Sequence, residues 1–435
     1  MTKRLSMLVL TAALARAGCG DDDATGSPDA GGVDAGGRDA GAMDAGSDDA
    51  GAMDAGDGDA GSMDAGNMPT EPRLFMTFGF SFSPEGLSTV IATTDALDEV
   101  PTSEEALVIP GFAGFFAEGD SLYLARPDSA TITRYALPEA GSFIEGESVS
   151  FMGRGVTQLS GESTFVALDG DAGYVFDLDL GEIILWDAAA MEITGSVAIP
   201  GIEALTPPEG QTVRGNGITV VENQVQVSFR YEEAEIQLPR TAFVFYDTVT
   251  GEASVHITEL CGASFTSVAS SGDAYYATNL RGASDFELGR RGSFEPCMIR
   301  VRAGETVVDE SFTLTLSDLA PGVVGGLLSG PGESAYVFAY DETIEPIGEE
   351  DFSNVSAWRL YAIPELGGTT EGTRVEGLPP VNGGTAFFEI GGVAYLAIAN
   401  PDFGGSVVWD LSDPSGAAQL WETSGFLVGQ VVGVE

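Results

Sequence analysis

Lysine and histidine are almost missing from this chain. Lys3 is its one lysine and His256 its one histidine, and 18 Lys and Arg stand against 67 Asp and Glu, a formal net charge of −49. Nucleic-acid binding needs cationic side chains to neutralise phosphates, so that class is excluded. One imidazole excludes zinc sites built from several histidines, and three cysteines exclude a four-Cys site. A Ser-His-Asp triad would have to use His256, and no Gly-x-Ser-x-Gly elbow accompanies it. No uninterrupted run of eighteen apolar residues follows the N-terminal segment, which argues against a membrane-spanning helix in the body.

Glycine is abundant, with 59 residues, and Val, Ile, Phe and Tyr are frequent. That mixture favours strands joined by tight turns. The surplus of acid keeps the chain soluble and leaves carboxylate chemistry open, as calcium binding or a glycosidase pair. Asp169-Gly170-Asp171 is the nearest approach to a calcium-type turn, and it fits a plain hairpin turn equally well.

Residues 1–18 read as a signal peptide: Lys3 and Arg4 form a basic start, and a largely apolar run extends from Leu5 to Ala15. Ala17, Gly18 and Cys19 then fit a lipobox, in which Cys19 becomes the lipidated N-terminus. Arg16 departs from that pattern, and Ala15-Arg16-Ala17 offers cleavage after Ala17 as the rival. From Asp29 to Gly66 the triplet Asp-Ala-Gly recurs every five residues. Glycine offers nothing to bury and the aspartates repel one another, so residues 19–72 read as a disordered tether.

From Arg73 onward the pattern becomes alternating strands. A turn residue is followed three positions later by Tyr at Tyr123, Tyr174, Tyr276, Tyr336 and Tyr395, while the copy after Asn223 has Gln226. Successive turn residues, Asp120, Asp171, Asn223, Asp273, Glu333 and Gly392, are 51, 52, 50, 60 and 59 apart. A second mark follows one strand later: Tyr135, Trp186, Tyr246, Val301, Tyr361 and Trp409. Four-stranded units at this period predict an all-β fold, a β-propeller over residues 73–435. Strand-like segments at 74–78 and 88–92 lack an inner partner, and the segment 426–434 lacks any. Pairing them completes a seventh blade and removes two exposed edges. Six and eight blades are the alternatives.

Trp186-Asp187, Tyr246-Asp247 and Trp409-Asp410 echo the blade endings of Trp-Asp-repeat propellers, without the companion Gly-His. Leader, tether and body together resemble the secreted propeller lipoproteins of myxobacteria. That resemblance implies an exported protein held by lipid alone at the outer membrane or cell surface, with the periplasm as the alternative. For some such proteins it also implies a link to siderophore or metal uptake. It carries no motif for a catalytic or binding residue.

Two long connections, 279–296 and 341–357, fall between the second and third strands of the fifth and sixth blades, on one face of the ring. The first holds Arg281, Arg290 and Arg291, a rare basic cluster, and the second Glu345, Glu349, Glu350 and Asp351. Long loops on a rigid scaffold are where binding concentrates, so these seven are the candidate ligand-binding residues; solvated loops salt-bridged to each other are the alternative. With Cys19 committed to lipid, Cys261 and Cys297 remain for a disulfide in an oxidising compartment. His256 lies in a strand and reads as structural. The expectation is an anchored propeller that binds a ligand or an envelope protein. A calcium-dependent hydrolase or lyase and a subunit docking an outer-membrane protein are the alternatives, with calcium the one cofactor to consider.

Overall fold

The computed structural model describes residues 72–83, 86–159, 163–344 and 355–434. The signal peptide, the tether and Cys19 therefore lie outside the described residues, as do Glu345, Glu349, Glu350 and Asp351. The described chain folds into seven four-stranded antiparallel sheets arranged as a ring, a seven-bladed β-propeller. Blades 2 to 7 span residues 114–150, 164–198, 211–258, 265–315, 324–374 and 385–422, each with its first strand innermost. A single α-helix occurs among the described residues, α1 (Leu280–Glu287).

Blade 1 closes the ring. The C-terminal strand Leu427–Val434 is its inner strand and pairs antiparallel with Leu74–Ser83, with Leu74 opposite Val434. Gly86–Thr94 and the short strand Leu107–Pro110 complete the sheet. The four-residue outer strand is a piece that alternation did not reveal. Arg73 fastens the entry by donating to the carbonyls of Leu137 at 2.6 Å and Pro138 at 2.8 Å.

The repeated aromatics form the packing between blades. Tyr123 of blade 2 meets Trp186 of blade 3 edge-on at 6.1 Å, Tyr174 of blade 3 meets Tyr246 of blade 4 at 5.6 Å, and Tyr336 of blade 6 meets Phe387 of blade 7 at 5.5 Å. Each ring fills the space between two twisted sheets, which explains why both marks advance together along the sequence. Trp186 lies across Gly173, where a Cβ would stand 2.0 Å from the indole, so that position tolerates no side chain. The aspartates after the aromatics cap turns. Oδ1 of Asp187 accepts from the Ala190 amide at 2.7 Å, that of Asp247 from Val249 and Thr250 at 2.8 Å, and that of Asp410 from Ser412 at 2.7 Å. Gly170 and Asp171 form a two-residue hairpin turn, with Asp169 paired to Ala172 and Gly170 at φ 58°.

Gln226 marks the exception. In the strand Gln224–Glu233 of blade 4, Val225, Val227, Phe229 and Tyr231 pack with residues of blade 3 such as Phe176. The alternate positions, Gln224, Gln226, Ser228, Arg230 and Glu232, form the opposite face, towards blade 5, and are all polar. The buried Tyr276 hydroxyl of blade 5 donates to Gln226 Oε1, and Gln226 Nε2 donates to Gln224 Oε1 at 2.6 Å. The 4–5 seam thus adds a buried hydrogen-bonded chain to its ring contact, Tyr276 edge-on to Phe243 at 4.8 Å. Tyr276→Phe orphans that buried acceptor, and we expect a loss of about 1–3 kcal/mol in urea unfolding. An unchanged midpoint would show that Gln226 finds another donor.

Candidate functional site

In four antiparallel strands counted outward, the turn between the second and third lies on the same face as the connections between blades. That face carries α1 and the tip of an extended hairpin. Blade 4 supplies consecutive strands of 11, 10 and 12 residues, Gln211–Val221, Gln224–Glu233 and Ile236–Asp247. The tip, Ala234 and Glu235, has both residues left-handed, at φ 50° and 68°. This is the geometry of a type I′ turn, which favours Asn-Gly, so a non-glycine pair there is strained.

The connection 279–296, read from sequence as a loop, contains α1. Asn279 caps it, its Oδ1 accepting from the Gly282 amide at 2.8 Å. Gly282 faces blade 4, where a Cβ would fall 2.6 Å from Gln237 Oε1, so glycine permits the helix to lie close. Asp285, buried beneath it, accepts from the Gln237 amide at 3.4 Å and from Arg290 Nη1 at 3.0 Å. Burial pushes the Asp285 carboxyl above its ordinary range even though Arg290 and Arg281 oppose the shift.

Above this seam the arginines converge. Arg214 Nε donates to Glu232 Oε2 at 2.9 Å and Arg230 Nε to Oε1 of the same carboxylate at 2.9 Å. Arg230 Nη1 also donates to Asn216 Oδ1 at 2.7 Å, and Asn216 Nδ2 to the Ala263 carbonyl at 2.9 Å. Burial would raise the pKa of Glu232, but Arg230 and then Arg214 outweigh it and hold the group below its ordinary range. Burial lowers the Arg230 pKa, with Glu232 opposing. Arg281, on the first turn of α1, donates to the Glu235 carbonyl and stands 3.7 Å from its carboxylate.

Of the three arginines expected on this face, Arg281 and Arg290 are thus engaged with Glu235 and Asp285. Arg291 is exposed and makes no ion pair among the described residues. Arg214, Arg230 and Asn216 were not anticipated. The available signal was the run Gln224 to Glu232, whose polar positions sit where a propeller normally buries apolar ones. Several of the chain's cations gather around this one seam: Arg214, Arg230, Arg281, Arg290 and Arg291.

Cys261 and Cys297 lie on the same face with their sulfurs adjacent and Cα atoms 6.0 Å apart. Thr241 Oγ1 of blade 4 donates to the Cys261 carbonyl at 2.6 Å, which links the cysteine pair to the seam. His256 is half-buried in the outer strand Ala253–Thr258, opposite Phe243, and burial lowers its pKa. Among the described residues no group of three or more His, Cys, Asp or Glu is placed to hold a metal ion. No described helix is long and apolar enough to cross a membrane.

No protein-family model matches the chain. No curated protein matches it either. Solved structures match in fold. A candidate 6-phosphogluconolactonase from Bacteroides fragilis aligns over 85% of this chain and 99% of its own, at 13% identity and a TM-score of 0.50. The periplasmic gluconolactonase of Pseudomonas aeruginosa aligns over 83% of this chain and 99% of its own, at 14% identity and a TM-score of 0.48. The chain is an all-β, seven-bladed β-propeller, and identities at this level establish that much and no more.

Proposed function

We propose that this protein is an exported propeller, held at the cell envelope through lipid on Cys19, that binds a ligand or protein partner on its helix-bearing face. The observation that carries the reading is the gathering of arginines at the blade 4–5 seam of a chain with a net charge of −49. In a background this acidic, such a patch is a local attractor for anionic groups. The extended hairpin and α1 raise it above the ring, where a partner can reach it. Service beside siderophore or metal uptake is the role that the leader and tether suggest for it.

Protein docking, the second reading, is favoured by the exposed apolar residues of the same face. Met152, Leu180, Leu260, Phe286 and Ile344 lie on turns or connections of that side, and Phe82 at the end of a strand beside one. Solvent-facing aromatic and aliphatic side chains beside arginines are the composition of protein interfaces.

The test is the melting temperature of the full chain against calcium, iron-loaded siderophores and soluble glycans. A ligand present at a hundred times its Kd stabilises the fold by about 2.7 kcal/mol. The expected result is a shift that is lost in the Arg290→Gln/Arg291→Gln double variant. A shift with calcium alone, unchanged in that variant, would favour an acidic site elsewhere. Co-purification with an envelope protein, with no small-molecule shift, would select the docking reading.

A further inference from the structure

Several arginines of this ring are answered by exposed carboxylates. Arg134 pairs with Glu147, whose side chain is 68% exposed, and Arg154 with Glu182, 39% exposed. At the top of the 4–5 seam the carboxylate is Glu232, whose side chain is 4% exposed, with one guanidinium on each of its oxygens. Arg230 is fixed from two directions, by Glu232 and by Asn216, and Asn216 is itself held by a backbone carbonyl. Its guanidinium is therefore aimed before anything binds. Arg214 and Arg281 form the rim, their side chains 25% and 22% exposed. The strained tip at Ala234 and Glu235 brings a carbonyl to Arg281, so hairpin and helix are joined across the cluster. Two guanidinium groups on one buried carboxylate, with the positive charge of Arg281 acting on it as well, is a costly arrangement for stability alone, because desolvating charge is unfavourable.

We propose that Arg214, Arg230 and Arg281 form an oxyanion subsite, with Glu232 as its resident counter-ion, that receives the carboxylate or phosphate group of a ligand. This rests on reading the helix-bearing face as the binding face and names the chemistry that the face selects. Guanidinium forks match the planar pair of oxygens on a carboxylate and two oxygens of a phosphate, which a point charge such as lysine does not. Arg214 and Arg281 meet the incoming group at the rim, and Arg230 with Glu232 forms the fixed floor beneath it. The bound anion adds charge next to Glu232, so the resident carboxylate sets an upper limit on affinity.

Inorganic phosphate and citrate, each titrated at constant ionic strength with chloride as the balancing ion, supply the test by calorimetry and melting temperature. Wild type is expected to bind at least one of them. Glu232→Gln should bind it on the order of tenfold more tightly, because a competing unit charge a few ångströms away is removed. Arg281→Gln should weaken it on the order of tenfold, and Arg281→Lys should restore only part of that, since the charge returns without the fork. Tighter phosphate than citrate points to a phosphorylated ligand, and the reverse to a polycarboxylate. Absence of an anion effect in both wild type and Glu232→Gln would overturn the proposal, as would an effect unchanged in Arg281→Gln. Should Glu232→Gln fail to fold, the Arg281 variants decide alone. A ligand of the same face that binds while neither phosphate nor citrate does, and that ignores Arg281→Gln, would leave the binding face standing and remove the subsite.

Discussion

Truncation after Gly425 is expected to abolish cooperative folding. It removes the inner strand of blade 1, Leu427–Val434, in which Leu427, Val428, Val431, Val432 and Val434 are between 1% and 9% exposed. Burying such side chains is worth about 1.5–3 kcal/mol each, so five of them supply about 10 kcal/mol. That is comparable with the whole stability of a typical domain, about 5–15 kcal/mol. The strand also satisfies the backbone of Leu74–Ser83, which would otherwise be a free hydrophobic edge. Far-UV circular dichroism against temperature and limited proteolysis are the readouts. A truncated chain that melted in a single transition near the wild-type temperature would show that closure is dispensable.

Replacing both Cys261 and Cys297 by Ala should give the next largest effect. Their separation of 36 residues corresponds to about 4 kcal/mol of loop-closure entropy in the unfolded chain. For a chain of this size that is about 5 °C in Tm. The loop they close carries both α1 and the hydroxyl side of the Gln226–Tyr276 bond. Loosening it should therefore weaken the arginine cluster as well as the fold. Thiol titration of the unfolded wild type without reductant decides the premise: neither Cys261 nor Cys297 should react, and two reactive thiols would remove the basis of the prediction.

The two expectations differ in how far the sequence anticipates them. Closure is legible because an unpartnered run at each end, 74–78 and 426–434, has the strand alternation that its missing neighbour demands. The ring is legible because Tyr123, Tyr174, Tyr276, Tyr336 and Tyr395 fill equivalent inter-blade spaces, and equivalent spaces impose equivalent side chains. The arginine cluster is not legible, since Arg214 and Arg230 sit on neighbouring strands and meet Arg281 only because blades 4 and 5 are adjacent. Gln226 was visible as a break in the repeat, but its cause, a donor from Tyr276 fifty residues on, is a contact between blades. The helix escaped notice for a local reason. Gly282, Gly289 and Gly292 and three arginines crowd the segment, and an eight-residue helix offers barely two turns of periodicity.

The register of the closing pair bears on how the ring responds to force. Leu74 stands opposite Val434, and the Arg73 amide donates to the Val434 carbonyl at 2.7 Å, so both ends of the described chain leave from the same end of the same strand pair. Tension between those two ends acts along the hydrogen bonds, which lie perpendicular to antiparallel strands, and would break them one pair at a time, as a zipper opens. A load that runs instead from the N-terminal side to a partner gripping the opposite face passes along the strand Leu74–Ser83 and is shared by many bonds in shear. The same joint is therefore weak when pulled at both ends and strong when the chain is held by one end and grasped at its far face.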